Sequence, residues 1–145
     1  MEIIYDFIDH KENLFKEVME LRYAVLFEGF HKVEKYKYDK LDSISKHIVA
    51  LDNGKVVGYS RFTNKEGKGE ITNVVVDPNY SGKGIGYNLI KNILAISKED
   101  NINYLYLHSR LGSVGFYEKL GFESTGFQVT SEKTGLQLEE MHIHI

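Results

Sequence analysis

The stretch Ile71 to Asn92 (ITNVVVDPNYSGKGIGYNLIKN) constrains this chain more than any other. It predicts a strand over Ile71 to Val76, a turn at Asp77-Pro78-Asn79-Tyr80, and a glycine-rich loop that opens a helix. In Ser81-Gly82-Lys83-Gly84-Ile85-Gly86, glycine recurs at every second position. Closely spaced glycines let main chain approach a ligand where a Cβ would clash. The helix that follows turns its first unpaired N–H groups, and the positive end of its dipole, toward that space. Such a site suits an anion, and a phosphate fits it best. Lys83 adds a positive charge at the rim.

Two common phosphate loops do not fit. A Walker A loop needs G-x-x-x-x-G-K-[ST], which occurs nowhere in the chain. A dinucleotide fingerprint needs G-x-G-x-x-G, but Tyr87 stands where the third glycine belongs after Gly82 and Gly84. The readings left at this point are a phosphate loop of another kind and a plain strand-loop-helix connection without a ligand.

The rest of the chain predicts a sheet around this loop. Met1 to Ile8 reads as an edge strand. A helix follows from about Lys11 to Glu28, with Asp9 as its cap, Gly29 as its stop, and an apolar face of Leu14, Phe15, Val18, Leu21, Val25 and Leu26. Phe30 to Lys40 reads as a surface loop or short second helix, in which Tyr36, Lys37 and Tyr38 could line a substrate entrance. His47 to Leu51 and Val56 to Thr63 flank Asp52-Asn53-Gly54, a hairpin signature. A second turn at Asn64 to Gly69 leads into a strand from Glu70 to Val76. Asn88 to Lys98 is the helix after the loop, and Asn103 to His108 is a strand apolar on both faces, hence central. Gly112 to Leu120 forms a short helix ended by Gly121, and Phe122 to Val129 and Leu136 to Ile145 are the last strands. In the final strand Glu140, His142 and His144 share one face. The histidines could ligate a metal, but a half-exposed strand is the better account, so no metal site is expected.

Composition removes several function classes. At 145 residues a single domain over residues 1–145 is expected. The net charge of −3 argues against a nucleic-acid surface, and no apolar run approaches the ~18 residues of a membrane span. Glu2 and Asp6 stand where a signal peptide would carry positive charge, so a cytoplasmic location is expected. With no cysteine in the chain, neither a thiolate metal site nor a covalent acyl-sulfur enzyme can form.

A second motif joins the first at Val114 to Phe122 (VGFYEKLGF). The loop resembles the R/Q-x-x-G-x-G/A pyrophosphate loop of the GNAT superfamily of N-acetyltransferases, with Gly84 and Gly86 matching and Ser81 replacing Arg or Gln. Phe116, Tyr117, Glu118, Lys119, Gly121 and Phe122 match that family's F/L-Y-E-K-x-G-F helix, at the expected distance from Gly84. The resemblance is close over Val56 to Val129. Toward the N-terminus the chain looks more loosely like a bacterial branch with L-R-x-x-V and a following glutamate, here Leu21, Arg22, Val25 and Glu28, then Asp42 and His47.

This resemblance implies an α/β (α+β) GNAT fold. Its central sheet is mixed, mostly antiparallel and six- to seven-stranded, with a V-shaped splay between strands 4 and 5 and about four flanking helices. It implies acetyl-CoA as co-substrate, with the pantetheine arm on the main chain of Val74 and Val76. The pyrophosphate would lie on Ser81, Gly82, Lys83, Gly84, Ile85, Gly86 and Tyr87. Tyr117 would protonate the departing thiolate, because a phenol is close to a thiol in acidity. A main-chain N–H in the splayed fourth strand would stabilise the oxyanion. Glu70 is the candidate base for the amine, and His108 the alternative. Arg22, Glu28 and His108 are the candidate acceptor-binding residues, and the acids Glu28 and Asp42 at the entrance would suit a cationic amine.

Ser81, and Arg110 and Ser113 where many members have Asn and Ala, depart from the family pattern without touching the main-chain donors. The expected function is transfer of an acetyl group to a primary amine of a small molecule by direct attack in a ternary complex. A non-catalytic acyl-CoA sensor and a protein-lysine or N-terminal acetyltransferase are the alternatives. A homodimer stays open.

Overall fold

The structure is a computed structural model that describes residues 2–27 and 40–145. A single seven-stranded sheet organises it, in the order β1-β2-β3-β4-β5-β7-β6. Strands β1 (Ile3–Ile8), β2 (Lys46–Asp52), β3 (Lys55–Lys65) and β4 (Lys68–Val76) form an antiparallel meander, with β1 at the edge as its sequence predicts. Asn53 (φ 52°) and Gly54 (φ 85°) make the first turn, and Glu66 (φ 55°) and Gly67 (φ 89°) the second. Both central residues are left-handed in each case, which matches the twist of the flanking strands. The second turn is therefore shorter than the Asn64 to Gly69 segment predicted for it.

Strand β5 (Tyr104–Arg110) lies parallel to β4, and β7 (Gln137–His144) and β6 (Glu123–Thr130) continue the sheet antiparallel. The parallel pairing covers Gly69↔Leu105, Glu70↔Tyr106 and Ile71↔Leu107 only. Beyond Ile71 and Leu107 the two strands separate, and this is the expected splay. β4 also carries a bulge: Tyr59 pairs with Val75 and Arg61 with Thr72, so Asn73 and Val74 stand opposite Ser60 alone. Asn73 is left-handed (φ 56°) to make the extra residue fit.

Helices cover both faces. On one, α2 (Ile85–Glu99) and α3 (Val114–Glu118) close a core with Leu89, Ile90, Ile93, Phe62, Ile71, Leu105, Leu107 and Phe122. On the other, α1 (Phe15–Arg22) buries Phe15, Val18 and Met19 against Val49, Tyr59 and Val75. The described residues thus hold three α-helices where about four are expected.

Two helix boundaries depart from the sequence reading. The first helix starts at Phe15, not Lys11: Asp9 accepts from the Lys11 N–H (2.8 Å) and Glu12 from the Asp9 N–H (3.1 Å), so the cap closes a preceding turn. It continues past Arg22 as a wider turn with π-type spacing, Tyr23–Phe27. The second starts at Ile85, three residues before the predicted Asn88, because Gly84 (φ 77°) breaks the chain direction directly ahead of it. Glu28, Gly29 and most of the Phe30 to Lys40 segment, with Tyr36, Lys37 and Tyr38, lie outside the described residues.

Candidate functional site

The glycine-rich loop leaves main-chain donors open. The first helical hydrogen bond of α2 runs from the Asn88 N–H to the Gly84 carbonyl (3.0 Å). The N–H groups of Ile85, Gly86 and Tyr87 come before it and have no partner within the helix. Gly82 (φ 75°) and Gly84 (φ 77°) hold the left-handed conformations that turn the loop into α2. Gly86 has a different reason to be glycine: a Cβ there would stand 3.3 Å from the Phe116 ring and 3.7 Å from Val76. The second motif thus packs directly on the first. Ser81 and Lys83 are exposed beside the donors, Tyr87 is exposed under Lys91, and Ile85 is buried and anchors the helix start. An anionic pyrophosphate fits this array of unpaired N–H groups and one flanking cation.

The splay opens into a cleft of about 300 Å³. Thr72, Asn73 and Val74 form one wall, His108, Ser109 and Arg110 the other, and Tyr117 reaches it from α3. The edge of β4 that faces the cleft beyond Ile71 is unpaired, so its main chain can accept an added strand-like ligand. No hydrogen bond ties the Tyr117 hydroxyl to another described residue, although the ring is 7% exposed. Burial pushes that phenol well above the ordinary tyrosine value, a departure from the near-10 acidity expected from sequence. The group therefore arrives at the cleft fully protonated. The same desolvation would destabilise a thiolate in this dry site, so the pKa values of phenol and thiol would rise together.

Residues 12–122 match the Acetyltransferase (GNAT) family. The chain belongs to that family. It is 25% identical over 138 residues to the uncharacterized N-acetyltransferase YjcF of Bacillus subtilis, covering 95% of each chain. A glucosamine 6-phosphate N-acetyltransferase of Trypanosoma brucei brucei is 45% identical over 88 residues, 56% of this chain and 60% of that enzyme. A GNAT family acetyltransferase from Elizabethkingia anophelis, solved with acetyl-CoA bound, superposes with a TM-score of 0.74 at 15% identity, covering 99% of this chain and 98% of that one. The protein is an acyltransferase on the GNAT fold.

Within this GNAT chain the expected acceptor residues separate. His108 lines the cleft. Glu70 does not: it sits at the paired end of β4, where Lys65 holds it at 2.6 Å and Tyr106 is its neighbour on β5. Arg22 is 5% exposed and bonds both oxygens of Asp42 (2.9 and 3.0 Å), while Arg61 adds a third contact (3.0 Å). The entrance role expected of Asp42 is thereby overturned, since a carboxylate already held by two guanidinium groups offers nothing to a cationic amine. The same cluster takes in His47, whose Nε2 donates to the Asp42 carbonyl (2.8 Å) and whose Nδ1 meets the Tyr59 hydroxyl (2.6 Å). Arg61 then reaches β4, donating from Nε to Thr72 Oγ1 (2.9 Å) immediately before the bulge. The buried cluster therefore fixes the wall of the cleft.

Three site features escaped the sequence reading. The bulge at Asn73 has no signal beyond an asparagine in a strand. Arg61 reads as one polar residue among strand positions. Glu140 reads as strand surface, although it stands directly across from His108 in the β5–β7 register.

Proposed function

We propose that this protein transfers an acetyl group from acetyl-CoA to the primary amine of a small molecule. The observation that carries this is the cleft at the splay, with unpaired β4 main chain on one side and Tyr117 among its lining residues. Its volume lies at the small end of the range for small-molecule sites, which favours a compact acceptor over a peptide. The likeness to an enzyme named for glucosamine 6-phosphate, itself a small amine, supports the same choice.

When bound, acetyl-CoA supplies an acyl group activated as a thioester. The N–H groups from Gly82 to Tyr87, with Lys83 beside them, hold its pyrophosphate. The main chain of Val74 and Val76 would align the pantetheine, and a main-chain N–H in the splayed β4 would stabilise the developing oxyanion. The amine nitrogen forms the new bond to the acyl carbon as the bond to sulfur breaks. Sulfur leaves with its electron pair and takes the proton from Tyr117 Oη. The amine gives up a proton in turn, so the phenol is restored. With no cysteine in the chain, direct attack is the economical route.

The test combines thermal unfolding with turnover. A ligand at a hundred times its Kd adds about 2.7 kcal/mol to stability, so wild type should melt visibly higher with acetyl-CoA. Gly84→Asp should lose that gain, because a carboxylate would face the anion in the loop. Tyr117→Phe should keep the gain while kcat toward small amines falls on the order of 10²-fold. Retained turnover in Tyr117→Phe would remove the phenol from the reaction. A thermal shift with no turnover on any amine would leave a coenzyme A-binding module instead.

A further inference from the structure

We propose that His108, oriented by Glu140 and Thr125, is the general base that deprotonates the incoming amine. This rests on the acetyl-transfer reading above and names the group that reading leaves open.

Three strands build the arrangement. His108 on β5 and Glu140 on β7 are direct cross-strand partners, so their side chains share a face of the sheet. His108 Nε2 lies 3.1 Å from Glu140 Oε2. The other carboxylate oxygen, Oε1, accepts from Thr125 Oγ1 at 2.9 Å. Thr125 reaches it because β6 is irregular between Ser124 and Gln128, where Gly126 is left-handed (φ 93°). With both oxygens engaged, the carboxylate has one orientation. The hydrogen bonds from His108 and then Thr125 hold its pKa below that of an ordinary carboxyl, so it stays ionised.

An ionised carboxylate only accepts, so Nε2 of a neutral His108 must carry the ring proton. Nδ1 is then left with its lone pair, and no described residue takes it in a hydrogen bond. His108 lines the cleft and its side chain is 28% exposed, so substrate or water can reach that nitrogen. Alternation along β5 sets the faces: Leu107 packs in the core with Tyr117, and His108 points to the opposite face with Tyr106. Acid and base thus approach the opening from its two sides. That separation is what an acceptor entering from one side and a thiol leaving on the other require.

The charged surroundings are mixed. Arg110 on β5, Arg61 on β3 and Lys133 in the β6–β7 connection line the same cleft. Tyr106 stacks edge-on at 6.0 Å from His108, its phenol raised first by burial and then by Glu70. His142 stands beside Glu140 on β7 and adds to what keeps it ionised. In the step itself, an ammonium N–H bond breaks, its electron pair stays on nitrogen, and the proton moves to Nδ1. Nδ1 later releases it to water.

The experiment measures kcat against pH for the full chain with acetyl-CoA and three probe amines: spermidine, glucosamine 6-phosphate and phenethylamine. Nitrogen-15 imidazole spectra of the unliganded protein accompany it. His108→Ala should lose about 10²-fold in kcat, lose the acid limb of the profile, and regain part of the rate with added imidazole. Glu140→Gln should move the acid limb to lower pH, because the imidazolium loses its counter-charge. The wild-type spectrum should show His108 as the Nε2–H tautomer. An unchanged acid limb in His108→Ala, or an Nδ1–H tautomer in wild type, overturns the proposal. Absence of wild-type turnover on every amine would overturn the acetyl-transfer reading, and the tautomer would then decide the dyad on its own.

Discussion

The sheet carries two histidine–acid clusters, and they differ in what they leave unpaired. On the α1 face, His47 and Asp42 are each 1% exposed. Both ring nitrogens of His47 are bonded, and both carboxylate oxygens of Asp42 are held by arginines. At the cleft, the side chains of His108 and Glu140 are each 28% exposed, and among the described residues only Nε2 of the imidazole has a partner. The residue types are nearly the same. A cluster with every polar atom paired can hold a wall in place but has no atom left for a substrate. A cluster with one nitrogen open to the cleft can accept a proton.

Removing the acid from each cluster tests that contrast most strongly. Asp42→Ala removes the carboxylate that two buried guanidinium groups share, and removing one partner of such a pair costs about 3–5 kcal/mol. For a chain of this size that lowers Tm by roughly 10 °C or more, read by differential scanning calorimetry. Thr72 and the bulge after it lose their support, so turnover should fall as well. Glu140→Gln removes a carboxylate that is partly in water, and its stability cost should be about 1 kcal/mol or less. Its effect belongs in the pH profile. Equal stability losses in the two variants would break the distinction.

The same contrast explains what was legible in the sequence. The loop proposed to hold acetyl-CoA is made of main chain, and main-chain geometry leaves local marks: glycines at Gly82, Gly84 and Gly86, one proline at Pro78, and Phe116 packing where Gly86 makes room. The hairpins, the edge position of β1 and the central position of β5 followed from turn residues and apolar alternation. The acceptor side is made of side chains brought together across strands. Whether Asp42 meets an amine or two arginines depends on where α1 delivers Arg22, which no local pattern states. His108 meets Glu140 through the register of β5 with β7, and the preference for Glu70 as base failed to anticipate Lys65 across the β3–β4 turn. The bulge at Asn73 arises from a register shift that strand periodicity cannot show.

The smallest effect concerns His47. Burial, the leading cause, lowers its pKa below the ordinary histidine value, and the Arg61 and Arg22 charges act in the same direction against the pull of Asp42. Its Nε2 must donate to the Asp42 carbonyl, so in the neutral ring Nδ1 accepts from the Tyr59 hydroxyl. A proton on Nδ1 would face that hydroxyl hydrogen and enter a site from which water is excluded. As pH falls below the ordinary value of about 6.5, the unfolded chain therefore binds this proton before the folded one does. Stability is present in full above that pH and is lost progressively as pH drops toward the lowered folded-state value. Melting curves of wild type between pH 7.5 and 5 should show this as a declining Tm. In His47→Gln the overall Tm will be lower, because the pair with Tyr59 is disturbed, but its slope over the same interval should be shallower. An equal slope in both proteins would mean that His47 is protonated in the folded state. Its cluster would then titrate, contrary to the fully paired arrangement that sets it apart from His108.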